Sequence, residues 1–421
     1  MASTQDHLRA RIGAEVRTWL GEQWDPERPL REWRELLADS GWGCPTWPRE
    51  AFGRGLAADT APVVQREFDA AGAVGAAAGV GMSLAAPTLL AHGADELQGR
   101  LLRPIVTGEH KWCQLFSEPG SGSDLAGLTT RADRDGDEWV VNGQKVWTTG
   151  AHHATFGILL ARTDWNVPKH RGITCFALPM RQPGVEVRPL RQMNGRASFN
   201  EVFMTDARVP DDNVIGDVGE GWGVALTTLA HERGLATAFA GRMPAGAAGA
   251  GRTVREAAAE AAEYAKTYEW YPQRAGRPDL VVPRARDTGR AGDPVIRQRI
   301  ADVHAFERAA RWNVERTRAA RAAGRPPGPE GSLAKLCGSE IARRAARVHA
   351  ELTGAHAMLT GPESPAGGVI AEIIVSVPAG SIAGGTDEIQ HNIIGERVLG
   401  LPKEPQVDRD VAFREVRKNP G

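Results

Sequence analysis

A chain of 421 residues exceeds what one simple hydrophobic core holds and is expected to divide into two or three domains. Its 51 Lys and Arg nearly cancel its 52 Asp and Glu, so the net charge of −1 lacks the basic excess of a nucleic-acid binder. Hydrophobic content of 42% and charged content of 24% are those of a soluble globular protein. No uncharged apolar run is long enough for a membrane span. The start, MASTQDHLRARIGAEV, lacks the basic-then-apolar layout of a secretory signal. Cys44, Cys113, Cys175 and Cys337 are scattered without a C-x-x-C pair. That argues against zinc and a disulfide framework and fits a reducing cytoplasm.

From Gln5 to about Glu109 the pattern is helical. Leu8, Ile12, Val16 and Leu20 recur at helical spacing, and Trp33, Leu36 and Leu37 make a second stripe. Gly41 to Pro45 breaks the pattern, and Pro104 and Gly108 close the region. From Lys111 to about Val214 short β-branched and aromatic runs alternate with turn signals, at Phe156 to Leu160, Ile173 to Leu178, Val185 to Val187 and Glu201 to Phe203. That spacing predicts an all-β region, sandwich-like or barrel-like. Within it, Trp139–Val141 and Gln144–Trp147 flank Asn142–Gly143, a pair suited to the positive φ angles of a two-residue turn, so a hairpin is expected there. Ahead of it, Ser117 to Asp124 reads SEPGSGSD, a loop that can present N–H groups and hydroxyls to a ligand. Read alone, it is equally an ordinary loop between strands.

From Gly221 the pattern is helical again. Gly221 to Ala240 and Val254 to Tyr271 are helix candidates, separated by a Pro/Gly break at Gly241 to Gly246. Pro272 to Pro294 is expected as a loop. Val295 to Ala323 and Ser332 to Met358 are long amphipathic segments joined by the Pro-rich linker Gly324 to Gly331, and Gly367 to Leu399 holds further helices around Gly384–Gly385. The tail after Pro402 is charged and expected to fray. The order is helical, then β, then helical, with boundaries at 1–110, 111–216, 217–402 and a tail at 403–421.

Glu232 lies on a stripe with Ala225, Leu229 and Ala236, at spacings of seven, three and four. A carboxylate on an apolar stripe is costly unless it has a role. Adjacent residues do not face each other on a helix, so a pair with Arg233 is poor. Burial raises a carboxylate's pKa, which suits a base.

S-E-P-G-S-G-S-D followed by W-T-T, then F-N-E-V-F at Phe199, R-V-P at Arg208 and G-G-T-D-E-I-Q at Gly384 stand in the order seen in the acyl-CoA dehydrogenases. The chain closely resembles that flavoprotein family from about residue 5 to 402. The resemblance implies an α+β multidomain fold with an N-terminal helical domain, a central antiparallel β-domain and a C-terminal four-helix bundle. It implies FAD between the β-domain and the bundle, with Phe116 and Ser117 at the flavin edge, where donors stabilise the reduced ring. Trp147 and Thr149 would cover one flavin face, Gly122 and Ser123 would lie near the pyrophosphate and thioester, and Thr386 and Glu388 would touch the flavin. Gln114 stands where the family often has an aromatic. The family's crossing Arg element, Arg-x-x-Phe-Gly, is altered here, and Arg286 and Gln298 are the candidates for it.

Oxidation of an acyl-CoA at Cα–Cβ requires a carboxylate to take the α-proton as the β-hydride leaves for flavin. The commonest family members carry that Glu directly before Gly-Thr; here the aligned residue is Gly384, beside Gly385. Isovaleryl-type members carry it on the first helix of the C-terminal domain before an Arg, which matches Glu232–Arg233 and makes Glu232 the expected base. Gly384, Gly385, Ser123 and Arg233 are then expected around the substrate. The resemblance implies electron transfer to electron-transferring flavoprotein and a homodimer or homotetramer in the cytoplasm, possibly a hetero-oligomer. Two other readings stay open: a non-catalytic partner subunit, favoured by Gly384 and the altered Arg element, and a flavin monooxygenase or oxidase on the same fold.

Overall fold

The computed structural model describes residues 4–239, 249–322 and 328–416. The expected break at Gly241 to Gly246, and residues 324–327 of the expected linker, lie outside the described residues. Helices α1 (Thr4–Gln23), α2 (Leu30–Ser40) and α3 (Ala61–Ala71) close around Trp33, which is fully buried and donates its indole N–H to the Val74 carbonyl at 2.6 Å. Ile12, Val16 and Leu20 of α1 face this core, whereas Leu8, the first member of the expected stripe, is exposed. Helices α4 (Ala86–His92) and α5 (Asp95–Thr107) turn their apolar sides toward the β-region.

The β-region is one eight-stranded sheet. Its strands are β1 (Trp112–Leu115), β2 (Arg131–Asp135), β3 (Glu138–Thr149), β4 (Phe156–Arg162), β5 (Ile173–Pro179), β6 (Val185–Leu190), β7 (Phe199–Pro210) and β8 (Val214–Ile215). The order is β6-β7-β3-β2-β4-β5-β8, with β1 beside β4 in parallel and antiparallel pairing predominating elsewhere. Contacts of β1 with β3 and of β5 with β7 fold the sheet over itself in the barrel-like manner. β4 reads as an unbroken apolar run because both its faces are covered: Ile158 and Leu160 meet α4 and α5, while Leu159 and Ala161 enter the sheet's own core.

The expected hairpin at Asn142–Gly143 is not formed. β3 runs straight through that pair, and the chain reverses instead at Gly136–Asp137, between β2 and β3. The Asp135–Gly136 dipeptide carries the same turn chemistry. At Gly143 the register with β7 shifts as a bulge, and a Cβ there would lie 2.5 Å from Thr130 Oγ1. Glycine is needed at 143 for close approach, not for a turn.

The remaining helices are α6 (Gly221–Phe239), α7 (Arg252–Lys266), α8 (Tyr271–Arg274), α9 (Val281–Asp287), α10 (Pro294–Ala322), α11 (Glu330–Thr353), α12 (Val369–Ser376), α13 (Pro378–Ile382) and α14 (Asp387–Ile393). α7 packs on the N-terminal helices: Val254 joins the Trp33 core, Glu256 accepts the Leu30 N–H at 2.8 Å, and Arg34 pairs with Glu260 at 2.7 Å. α11 is central, touching α6, α10, α12 and α14. The expected loop from Pro272 to Pro294 instead forms α8 and α9. Val281 and Ala285, one helical turn apart, bury against Val348 and Leu352 of α11, and that packing overrides a loop-like composition. The apolar stretch 365–398 has the length and composition to cross a membrane, but Pro378 and the positive φ angles of Gly384 and Gly385 cut it into short helices on α11.

The tail departs from expectation as well. Phe413 is 2% exposed, lies under the Arg162 guanidinium at 3.5 Å from Cζ to ring centroid, and donates its N–H to the Val167 carbonyl at 2.9 Å. Asp408 accepts from Lys169 at 3.0 Å. An aromatic ring that covers a buried cation docks a segment whose composition reads as solvated.

Candidate active site

Side chains alternate across a strand, and β1 obeys this: Cys113 and Leu115 enter the sheet's core, while Trp112 and Phe116 face α4 and α5. Gln114 shares the face of Trp112 and Phe116. Its Nε2 donates to Glu232 Oε2 at 3.2 Å. Glu232 continues the α6 stripe of Ala225, fully buried, and Leu229, packed on the same core. α6 is fixed against α4 by a Thr88–Thr228 hydroxyl pair at 2.9 Å and by His92 to Thr227 at 2.8 Å.

β1 leads into the Ser117 loop. Ser117 accepts the Val146 N–H at 2.9 Å, which ties the loop to β3. Glu118 and Ser121 exchange backbone hydrogen bonds of 2.9 and 3.1 Å and close a tight turn over Pro119–Gly120. Under it, Glu118 accepts from the Thr129 N–H, the Thr130 N–H and Lys145 Nζ at 2.7 to 2.9 Å. Burial opposes ionisation of Glu118, but Lys145 and the threonine donors outweigh it and hold the carboxyl at about 2. Fully buried Arg162 donates to the carbonyls of Ala126, Leu128 and Lys169 and fixes the far end of the loop. Gly122 and Ser123 are exposed, and no atom lies within 4 Å of where a Gly122 Cβ would stand.

Trp147 follows Lys145 across a second bulge in β3. It adopts φ +62°, unusual for a bulky residue, and is 56% exposed despite its size. Its ring meets Phe199 edge-on at 5.8 Å, Phe199 meets Trp270 at 6.1 Å, and Trp270 meets Tyr271 at 5.1 Å. Burial raises the Tyr271 hydroxyl above its ordinary pKa, Arg274 opposes this, and the charge of Glu232 adds to it. A circuit is therefore traced from Glu232 through Gln114 and β1 to the Ser117 loop, whose carbonyl meets β3 one residue before Trp147, and from Trp147 through Phe199 and Trp270 to Tyr271, whose hydroxyl feels the Glu232 charge. Half-buried Thr149 pairs with Phe199 in the ladder beside this circuit.

Gly384 and Gly385 follow α13, which packs on α8. Both have positive φ, and both carbonyls accept from Gln390, at 3.1 and 3.2 Å. Thr386 caps α14, its hydroxyl accepting the Ile389 N–H at 3.3 Å, and Glu388 is exposed. Asp387 is buried and accepts from Lys335 at 2.8 Å and Arg343 at 2.5 Å.

Arg286 and Gln298 are exposed on α9 and α10, and Gln298 lines a cavity of about 420 Å³ with Val295, Arg299 and Asp302. A neighbouring cavity between α10 and α11 is lined by charges already paired, Arg344 with Asp302 and Glu340 and Arg343 with Glu340, so it is no match for the site. The Arg233 side chain lies outside the described residues. Gln114, Phe199, Trp270 and Tyr271 are the site residues that sequence reasoning missed. A signal existed for the last: the chain's three tyrosines, Tyr264, Tyr268 and Tyr271, stand at helical spacing in one short segment.

Family models describe three parts of this chain: the acyl-CoA dehydrogenase N-terminal domain over residues 2–109, the middle domain over 113–207 and the C-terminal domain over 278–399. The chain belongs to the acyl-CoA dehydrogenase family and is an oxidoreductase of that family. It is 36% identical over 387 residues to acyl-CoA dehydrogenase IpdE1 of Mycobacterium tuberculosis, covering 91% of each chain. The IpdE1 of Mycolicibacterium smegmatis is 33% identical over 418 residues, covering 93% of this chain and 97% of that one. Among solved structures, the Tcur3481-Tcur3483 steroid ACAD superposes with a TM-score of 0.65 at 28% identity, covering 96% of this chain and 99% of that one. The ChsE4-ChsE5 complex from Mycobacterium tuberculosis superposes with a TM-score of 0.61 at 27% identity over the same shares.

Proposed function

We propose that this protein is an FAD-dependent acyl-CoA dehydrogenase that introduces an α,β double bond into an acyl-CoA thioester, with Glu232 as the base. The observation that carries this reading is the carboxylate of Glu232, held by Gln114 of the strand that leads into the Ser117 loop. The residues suit a flavin. Trp147 offers an aromatic face that its own protein leaves half uncovered, Ser117 sits on a loop fixed at both ends, and the space at Gly122 is open. Phe116, Ser117, Trp147 and Thr149 would hold the isoalloxazine, with Gly122 and Ser123 toward the pyrophosphate and Thr386 and Glu388 contributing from the bundle. Arg286 and Gln298, exposed on α9 and α10, would face a neighbouring subunit's flavin in an assembly.

FAD, when bound, would supply the hydride acceptor for Cβ. The protein supplies the rest. Glu232 accepts the α-proton, the backbone at Gly384 and Gly385 lies against the thioester, and the aromatic wall of Trp147, Phe199, Trp270 and Tyr271 excludes water from the reacting carbons. The missing side chain at Gly384 leaves room beside Cα. With the steroid ACAD among its structural relatives, that room favours a branched or polycyclic acyl group. Electrons would pass to an electron-transferring flavoprotein in the cytoplasm.

Assembly is part of the proposal. Ile382, Leu399 and Leu401 expose apolar surface along the bundle, and burial between subunits in a dimer or tetramer would cover it. The relatives solved as two-protein complexes favour a hetero-oligomer as the second form. The test is Glu232→Gln, which keeps shape and loses the base. Turnover of the best thioester in a panel of straight, branched and polycyclic acyl-CoAs should fall by about 10² to 10⁴-fold with FAD retained. Unchanged turnover overturns the assignment, and a colourless purified protein that takes up no FAD favours the partner-subunit reading.

A further inference from the structure

We infer that the tail segment 404–416 is a positioning element for cofactor binding: docked through Phe413 and Asp408, it holds the far half of the Ser117 loop in the shape that receives the FAD pyrophosphate. The inference rests on the reading of that loop as a flavin site. Its first support is how the loop is held. The near half is fixed from β3, by the Val146 N–H to Ser117 and by Lys145 to Glu118. The far half is fixed by two other cations, Arg162 and Lys169. Arg162 donates to the Ala126 and Leu128 carbonyls at 2.6 and 3.1 Å, and Lys169 reaches the Asp124 carboxylate at 3.1 Å. Gly122 and Ser123, both exposed, lie directly ahead of these anchors. Its second support is that the tail engages the same two cations. Phe413 covers the Arg162 guanidinium, and Asp408 accepts from Lys169 at 3.0 Å. The Arg414 N–H donates to the Trp165 carbonyl at 3.0 Å, beside the Phe413 bond to Val167, and seats the segment on the connection 163–172 between β4 and β5. Arg162 grips that connection too, through the Lys169 carbonyl at 3.1 Å.

Burial ranks the two routes. The Asp124 side chain is 65% exposed, so its pair with Lys169 contributes little. Arg162 is fully buried, its N–H groups met by three carbonyls and its face by the Phe413 ring. Losing that ring face admits water to the guanidinium, and water then competes with the carbonyls for its N–H groups. A loop already held in its bound shape loses less freedom when the ligand arrives. Loosening its far half therefore weakens cofactor binding, while chemistry in the loaded site proceeds as before.

Phe413→Leu keeps an apolar side chain over Arg162 and removes the ring face. FAD affinity, read from the flavin fluorescence released as holoprotein is diluted, should fall about tenfold, with kcat at saturating FAD and acyl-CoA changed less than about twofold. Hydrogen–deuterium exchange should quicken at residues 120–128 and in the tail, and stay unchanged in α1 to α3. Asp408→Lys sets a like charge against Lys169 at a partly exposed position. It should weaken FAD binding about threefold with the same exchange pattern, and it decides should Phe413→Leu not fold. Val16→Ala, in the Trp33 core, controls for general destabilisation and should leave FAD affinity and loop exchange unmoved. A tail released in either variant while FAD affinity and exchange at 120–128 keep their unsubstituted values overturns the coupling, and so does a tail that stays docked in both. Equal weakening in Val16→Ala overturns it as well, the effect then being general. An unsubstituted protein that binds no FAD is a separate failure: the flavin reading falls, and this inference falls with it.

Discussion

Lys145 Nζ lies 2.9 Å from Glu118 Oε1 with both side chains almost wholly removed from solvent, and the same ammonium donates to the Phe116 carbonyl at 2.9 Å. The pair sits one residue after Ser117 and two before Trp147, so it joins the two stretches that form the candidate flavin wall. Removing one partner strands the other charge in the interior.

Lys145→Met should therefore destabilise the protein by about 3 to 5 kcal/mol. The pH dependence has a definite sign. Glu118 titrates at about 2 in the folded chain against an ordinary 4.5, so its contribution is complete above pH 4.5 and is lost as pH falls from 4.5 toward 2. Urea midpoints compared at pH 7, 4 and 3 should fall across that window in the parent protein and much less in Lys145→Met.

Trp147 combines a left-handed backbone with an exposed ring, which stores strain of about 1 to 3 kcal/mol against the edge-on contact with Phe199. Trp147→Gly accommodates φ +62° freely and should leave the melting temperature unchanged or raised while FAD retention drops. Trp147→Ala keeps the strain and should lower both. A clear loss of thermal stability in the glycine variant would count against a ring kept for ligand contact.

Gly384 and Gly385 share a positive φ but differ in surroundings. A Cβ at 384 meets no atom within 4 Å, whereas one at 385 would stand 2.6 Å from Gln390 Nε2. Gly384→Ala should cost about 1 to 2 kcal/mol from the left-handed backbone alone, and Gly385→Ala distinctly more. The free space also makes Gly384→Glu buildable, and in the Glu232→Gln background it should return part of the lost turnover, measured with the same thioester.

Phe413→Ala should lower stability by about 3 to 5 kcal/mol, the usual loss for a buried ring, and Phe413→Leu by less, since it keeps volume but not the cation contact. Differential scanning calorimetry of the three proteins ranks them.

The layered order of helices, strands and helices was legible because apolar period changes from about four to two and back. The register of Glu232 on its helix was legible for the same reason, since Ala225 and Leu229 mark the inward stripe. The hairpin was misplaced because two turn dipeptides, Asp135–Gly136 and Asn142–Gly143, compete and only tertiary pairing with β7 and Thr130 decides between them. Helix α9 was hidden because its two buried residues gain their meaning from α11. Gln114 read as a departure from pattern because its partner lies 118 positions away, a distance no local spacing reports.

The ring that covers Arg162 comes from a segment far along the chain from the sheet. During synthesis from the N-terminus, the central sheet must wait with a buried guanidinium uncapped until Phe413 has left the ribosome, long after its own strands have emerged. Docking of that distant segment is thereby a late step in the sheet's assembly, and a chain cut before Phe413 presents an unfinished surface for quality control to recognise.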